Sequence, residues 1–473
     1  MFTQYTFTDW SEAMETERPE LLLKIINAYK GSADFQTALV AYDYFNANNR
    51  EVGGKVLMQP RVFTIEDEET GRTKKSIAQE AIVGNRVYSN FLFRFVTQQN
   101  QFLLGNGVTL ESAEQKKRLG LGFDKALELA GEKAMICGLC WGYWNLDHLE
   151  VIPAVTDGLS GFVALLDERT AQPAVGIRFW QLDYKRPMHV QLFEMSGITE
   201  YREDTEKHEL VRLDERKGYT QTVTADAAGE VERVDNASAA LPLVPFYANE
   251  SAHSELTPAI KSKIDLYDRI FSDFGDNLDK ANDVYWVLNN FGGSTSDIAE
   301  MLQQIHQLRA VANISDGSSS STAEPKAFEV PYQARQTALE LLSKALYQDY
   351  MALSMDELTG GSLTNVAIEA AMTNLNLKAD RFEWQAFRFV QGILRLAGIE
   401  TEEITFKRQS FVNRSEIVQD IYTMHDDLDR ETRLMLNPYI MQEQIPDILA
   451  NLDAQDTTGA GSLKDLEKAT REE

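Results

Sequence analysis

Between Thr257 and Ala281 the apolar residues Ile260, Ile264, Tyr267, Phe271, Phe274, Leu278 and Ala281 recur at alternating intervals of four and three. That is the 3.5-residue seam by which long helices pack side by side, and it commits this stretch to a helix with one apolar edge. A second row of residues at helical spacings, Asp265, Asp268, Asp276, Asp279 and Asp283, is acidic and has few bases nearby to pair it. Such a stripe reads either as a solvated helix face or as a surface that repels a polyanion such as DNA.

The chain beyond this helix is equally patterned. VYWVLNNFGG and the Ser-rich residues after it read as an apolar strand, a Gly-Gly break, a short helix and a loop, which makes a small α/β insertion. Pro331 suits a first helical position and opens a second helix, expected to run to near Asp356. The loop Leu358, Thr359, Gly360, Gly361, Ser362, Leu363 and Thr364 then leads into a long helix from Asn365. Its paired glycines make it pliant, and it lacks the lysine and spacing of a phosphate-binding loop. The strand-like EEITFKRQ, a small helical cluster and a polar tail from Asp456 complete the chain.

Upstream, LLLKIINAYK and IAQEAIVGNRVYSNFLFRFVTQQNQFLL read as helices, the second ending at Gly105, where glycine supplies a helix stop. From Trp141 to Phe246 short β-rich runs alternate with Gly, Asp and Pro turns, and the proline-flanked LPLVPFY reads as the boundary of that module. The fold class expected is therefore α+β, in several substructures, since 473 residues exceed what one core usually organises.

Composition narrows the function. A net charge of −27 disfavours a protein that grips nucleic acid along its surface, because that affinity comes mainly from Lys and Arg on phosphates. It is compatible with DNA that slides past without sticking. The N-terminus shows no basic region followed by an apolar run, and no stretch approaches the ~20 apolar residues of a membrane span, so the expected setting is the cytosol. Cys137 and Cys140 form a CxxC, but the expected order is helix before and strand after, the reverse of a redox motif, so they are read as buried and inert. The histidines at 148, 189, 208, 253, 306 and 425 show no metal-ligand spacing, and no nucleophile elbow or carboxylate pair stands out. No catalytic residue, metal or cofactor is expected.

Several segments in order resemble the portal proteins of tailed phages, in particular the siphophage group typified by phages of Bacillus. They are YDYFNANNREVGGKVL at 42–57, NRVYSNFLFRFVTQQNQFLLGNGVTLE at 85–111, the heptad helix and its continuation at 257–293, LTNVAIEAAMTNLNLKADRFEWQAF at 363–387, and DDLDRETRLMLNPYI at 426–440. Glu369 stands where that family commonly has a lysine. The resemblance implies a wing from residue 1 to about 255 together with 365–405, and stem helices at 257–282 and 331–355. It further implies a clip at 283–330, a tunnel loop at 356–364, a helical crown at 406–455 and a flexible tail at 456–473.

It also implies a homo-oligomeric ring, usually a dodecamer, at one capsid vertex in the virion, assembled in the host cytoplasm. Double-stranded DNA would pass through it during packaging and ejection. Its partners would be the terminase large subunit, then head-completion or adaptor proteins, with the major capsid and scaffolding proteins around it. In that setting Asp265, Asp268, Asp276, Asp279 and Asp283 and the loop 358–364 are expected to line the DNA channel. Ile260, Ile264, Tyr267, Phe271, Phe274 and Leu278 are expected to pack subunit against subunit. Another phage ring or capsid-scaffold protein, or a thiol-dependent enzyme, would be the alternatives.

Overall fold

The computed structural model describes residues 3–49, 56–66, 73–225, 231–281, 284–289, 322–327, 332–354, 364–409, 414–424, 428–440 and 445–450. The chain is α+β and divides into two compact units, one of residues 1–352 with 378–408 and one of residues 353–377 with 409–473.

In the larger unit, short helices α1 (Phe7–Glu12), α2 (Arg18–Lys30) and α3 (Ala33–Phe45) precede a two-stranded hairpin, β1 (Val56–Glu66) and β2 (Thr73–Val83). The segment IAQEAIV thus lies on a strand, not on the long helix expected from residue 77 onward. The helix α4 begins only at Phe91 and ends at Leu104, with Gly105 as its C-cap. The β-branched Ile77, Ile82 and Val83 favour the strand, and Gly84 ends it.

Next come β3 (Val108–Leu110), α5 (Ala113–Arg118) and α6 (Phe123–Cys137), followed by the strands β4 (Leu139–Asn145) and β5 (His148–Pro153). The strands β6 (Gly161–Leu166), β7 (Pro173–Trp180), β8 (His189–Glu194), β9 (Gly197–Asp204) and β10 (Glu209–Arg212) form an antiparallel meander. A hairpin of β11 (Thr220–Ala225) and β12 (Val231–Asn236) leads to β13 (Leu243–Tyr247). LPLVPFY is therefore a strand of the core rather than a boundary. It pairs with β4 in the order β13-β4-β5, and Pro245, which has no N–H to give, is tolerated because β13 is an edge.

The helix α7 (Pro258–Ala281) and strand β14 (Val284–Asn289) follow; β14 pairs with β15 (Thr322–Ala327). The helix α8 (Tyr332–Tyr350) stops short of the expected Asp356, because Met351 takes a left-handed φ of 63° and Ala352 N–H donates back to the Tyr347 carbonyl at 3.0 Å. The long helix α9 (Asn365–Leu396) and strand β16 (Ile404–Phe406), which pairs with β3, follow. In the smaller unit, α9 starts with its backbone N–H at Asn365 donating to Glu416 of α10 (Arg414–Thr423), ahead of α11 (Arg430–Leu436). The expected insertion residues 290–321, the loop residues 358–363 and the tail 456–473 lie outside the described residues, as does Asp283.

Four layers organise the β-rich core. Side chains on β4 alternate, so Trp141 and Tyr143 face the five-stranded sheet, with ring centroids 5.1 Å from Phe162 and 5.3 Å from Phe193. Gly142 faces the other way, toward Phe389 of α9. There Phe246 stacks between Phe382 at 5.4 Å and Phe389 at 4.6 Å. On the far side of the five-stranded sheet, Tyr29 of α2 meets Phe179 at 6.2 Å, and the indole N–H of Trp10 on α1 donates to Glu194 Oε1 at 2.9 Å. The order is therefore α9, the β13-β4-β5 sheet, the five-stranded sheet, then α1 and α2.

Candidate functional site

The helix α7 carries the residues that the sequence singles out, and the structure divides them. The first half of its seam belongs to the core of this chain: Ile260 and Ile264 are 3% and 1% exposed, and Tyr267 meets Phe91 edge-on at 5.0 Å. The second half opens outward, with Phe271 at 38% and Leu278 at 48% exposure and Phe274 half-buried between them. The helix α8 packs beside α7, with Arg335 donating to the Asp273 carbonyl at 3.1 Å and an ion pair between Lys263 and Asp349.

The acidic row is not an open stripe. Asp268 is 0% and Asp276 5% exposed. One Asp268 carboxylate oxygen accepts the Ser89 N–H at 2.9 Å, and the other accepts the Asn49 side-chain amide. Asp276 accepts the Asn85 N–H at 2.6 Å; between them Ser272 Oγ accepts the Val87 N–H at 3.0 Å. Half-buried Asp265 takes the Tyr44 hydroxyl and the Lys261 ammonium, the latter at 2.8 Å. Asp265, Asp268, Ser272 and Asp276, spaced three, four and four apart, form one face of α7. That face fastens both flanks of the β1–β2 hairpin, residues 44–49 before it and 85–89 after it.

Asp268 and Asp276 are consequently consumed inside the chain and cannot serve as a repulsive lining. Burial pushes the Asp268 carboxyl above its ordinary value, with the Ser89 and Asn49 hydrogen bonds pulling the other way. Asp279 lies on α7, and Thr364 immediately precedes α9. Sequence reasoning missed the partners of the row, because backbone N–H donors at Asn85, Val87 and Ser89 carry no side-chain signature.

A second buried knot ties α8 to α9. Lys378 pairs with Glu255 at 2.7 Å and donates to the Tyr350 carbonyl at 3.0 Å, while the Tyr350 hydroxyl donates to Gln99 Oε1 at 3.0 Å. Burial lowers the Lys378 pKa against the opposing pull of Glu255.

The CxxC is a helix-to-strand junction. Cys137 closes α6, Cys140 sits on β4, and both thiols are free and buried, next to the carbonyls of Val155 at 3.4 Å and Ile152 at 3.5 Å. Burial raises both thiol pKa values, that of Cys137 to about 11. Neither thiol in the native chain is expected to react with a disulfide reagent at pH 8, and both should react once it is unfolded; prompt native labelling would contradict the burial. A cavity of ≈ 330 Å³ opens beside β4 and β9, lined by both signs of charge, and no Ser, Cys or His is among its described lining residues. Among the described residues no group of three or more His, Cys, Asp or Glu could hold a metal ion, and no helix is long and apolar enough to cross a membrane.

The family model described as "Phage portal protein, SPP1 Gp6-like" matches residues 27–458, which include every element from α3 to α11. The chain belongs to this portal protein family. Two relatives, each named "Portal protein", agree with it. The protein of Clostridium phage phiCD119 is 29% identical over 165 residues, 34% of this chain and 36% of the relative. That of Bacillus phage SPP1 is 27% identical over 220 residues, 43% of this chain and 42% of the relative. Each alignment thus spans well under half of the relative's length. Within this portal family chain, α7 is both a core element and the bearer of an open apolar half-seam.

Proposed function

We propose that this chain is the protomer of a ring at one capsid vertex through which double-stranded DNA enters and leaves, and that it catalyses no reaction. Membership of the portal family over nearly the whole chain carries this reading. In it, α7 and α8 are the two stem helices, the paired strands β14 and β15 belong to the clip, and α10 and α11 belong to the crown. The half-exposed seam residues Phe271 and Leu278 support it, because a ring gives each α7 a neighbour against which that apolar edge is buried.

The channel-facing role falls to Asp279, Asp283 and the loop from Leu358 to Thr364, with Asp265, already taken by Tyr44 and Lys261, contributing least. Excess negative charge there keeps the duplex moving instead of holding it. The docking partners on this reading are the terminase large subunit during packaging and head-completion proteins afterwards.

The test is native mass spectrometry of the purified chain alongside negative-stain images. A closed ring of about a dozen copies with a central hole is expected. A stable dimer that forms no ring at any salt concentration would move the assignment to a capsid-scaffold role.

A further inference from the structure

The outer face of α9 departs from the acidic character of the chain. Arg381, Trp384, Arg388 and Arg395 succeed one another at intervals of three, four and seven, so they share one face and span about 21 Å from first to last. All four side chains are exposed, the indole at 56%. The acids nearest them on the helix, Asp380 and Glu383, are both taken by Arg408, and among the described residues none of the three arginines has an ion-pair partner. The opposite face of α9 is fixed on β13 and β4 through Phe382 and Phe389, so the row is presented rigidly.

Its complement lies at the other end of the four-layer stack. Residues 9–17, DWSEAMETE, hold four acids and no base, and Asp9, Glu12, Glu15 and Glu17 are all exposed. Met14 among them is 63% exposed. This segment is anchored, not loose. Trp10 is buried with its N–H on Glu194, and the Arg18 guanidinium sits 5.0 Å over the indole ring. One end of the stack thus offers arginines around an exposed tryptophan, and the other offers carboxylates around an exposed methionine.

We propose that the Arg381–Trp384–Arg388–Arg395 face of α9 docks the acidic N-terminal segment, residues 9–17, of a second copy of this chain. The inference rests on the ring reading above and adds a specific contact to it. Two unlike, complementary patches on opposite faces make a heterologous interface, the kind that propagates head to tail and closes into rings. Arginine and tryptophan are the side chains that most often dominate protein interfaces. A DNA backbone would use the arginines but leaves Trp384 without a purpose, and a molecule of net charge −27 repels it at longer range.

The experiment compares the full-length chain with R381E/R388E/R395E by native mass spectrometry and sedimentation across a salt series. Because all three sites are exposed, the variant should melt like the parent while its association weakens by about tenfold or more at low salt. Adding E12R/E15R/E17R should restore assembly by swapping the charges while leaving Asp9, which accepts the Thr6 N–H at 2.8 Å, to cap α1. Rings of unchanged salt sensitivity in the triple variant would overturn the inference and leave the ring reading standing. So would normal rings that have lost retention of a duplex in a gel shift, which would assign the row to nucleic acid. A parent chain that stays monomeric at every salt concentration would overturn both.

Discussion

Asp268→Ala is expected to destabilise the larger unit by about 2–5 kcal/mol, because it strands two buried donors, the Ser89 N–H and the Asn49 amide. Asp268→Asn should be far milder, within about 1 kcal/mol. The reason is specific to the site. Asn49 Oδ1 is buried and has no hydrogen-bond partner among the described residues. Turning the Asn49 amide over would therefore present that oxygen to the N–H₂ of the introduced carboxamide, whose own oxygen keeps the Ser89 N–H. Thermal melting and hydrogen exchange at amides 85–89 would measure the difference. Equal loss in both variants would mean that charge, not donor satisfaction, holds the clasp.

The pH dependence of this residue has a definite sign. Its folded pKa is raised, so between the ordinary aspartate value and the raised one the native chain holds a proton that the unfolded chain has released. Stability from this group therefore falls as pH rises through that window and is constant above it. Acidification into the window should tighten the clasp in the parent and leave Asp268→Asn unaffected. The same geometry explains why reversing Asp268 or Asp276 to lysine is no test of the proposed DNA channel: each would place an ammonium among buried N–H donors and unfold the junction first.

The seam of α7 is legible in the sequence because periodicity reports burial. Ile260 and Ile264 lie in the core, and the helix spans Pro258–Ala281 much as the spacing implies. Which neighbour buries each seam residue is not legible, since a residue packed on its own chain and one packed on another copy look alike in one sequence. The acidic row misleads for a related reason. Carboxylates without nearby bases suggest solvent, yet the backbone N–H groups of Asn85 and Ser89 give Asp276 and Asp268 charge-assisted hydrogen bonds that no side-chain pattern announces. IAQEAIV deceives because its apolar residues fit both periods over so short a run, and pairing with β1 decides the outcome. The CxxC, by contrast, declares itself through the order of its flanks, helix then strand. The arginine row of α9 is visible at its spacing of three, four and seven, but its meaning depends on which face of the helix meets the sheet.

Gly138→Ala is the second change expected to cost heavily, through backbone geometry alone. Gly138 caps α6 with φ 90° and ψ −26°, and its N–H donates to the Ala134 carbonyl while its own carbonyl accepts the Ala248 N–H at 3.0 Å. An alanine methyl there would lie 2.3 Å from the Ala252 carbonyl oxygen, a backbone atom that cannot swing aside as a side chain can. Left-handed strain and displacement of the packed backbone together amount to about 2–5 kcal/mol. Residues 248–257 would have to move, and they carry the chain from β13 into α7, with Glu255 N–H donating to the Met135 carbonyl at 2.9 Å. The damage should therefore reach both the neighbouring thiols and the start of α7. Gly122→Ala is the control, since nothing lies within 4 Å of its added methyl and its cost should stay within about 0.5 kcal/mol. Melting curves together with the rate of labelling at Cys137 and Cys140 distinguish the two: the Gly138 variant should melt earlier and expose its thiols faster, and a Gly138 variant as stable and as unreactive as the Gly122 one would show that this junction bends freely.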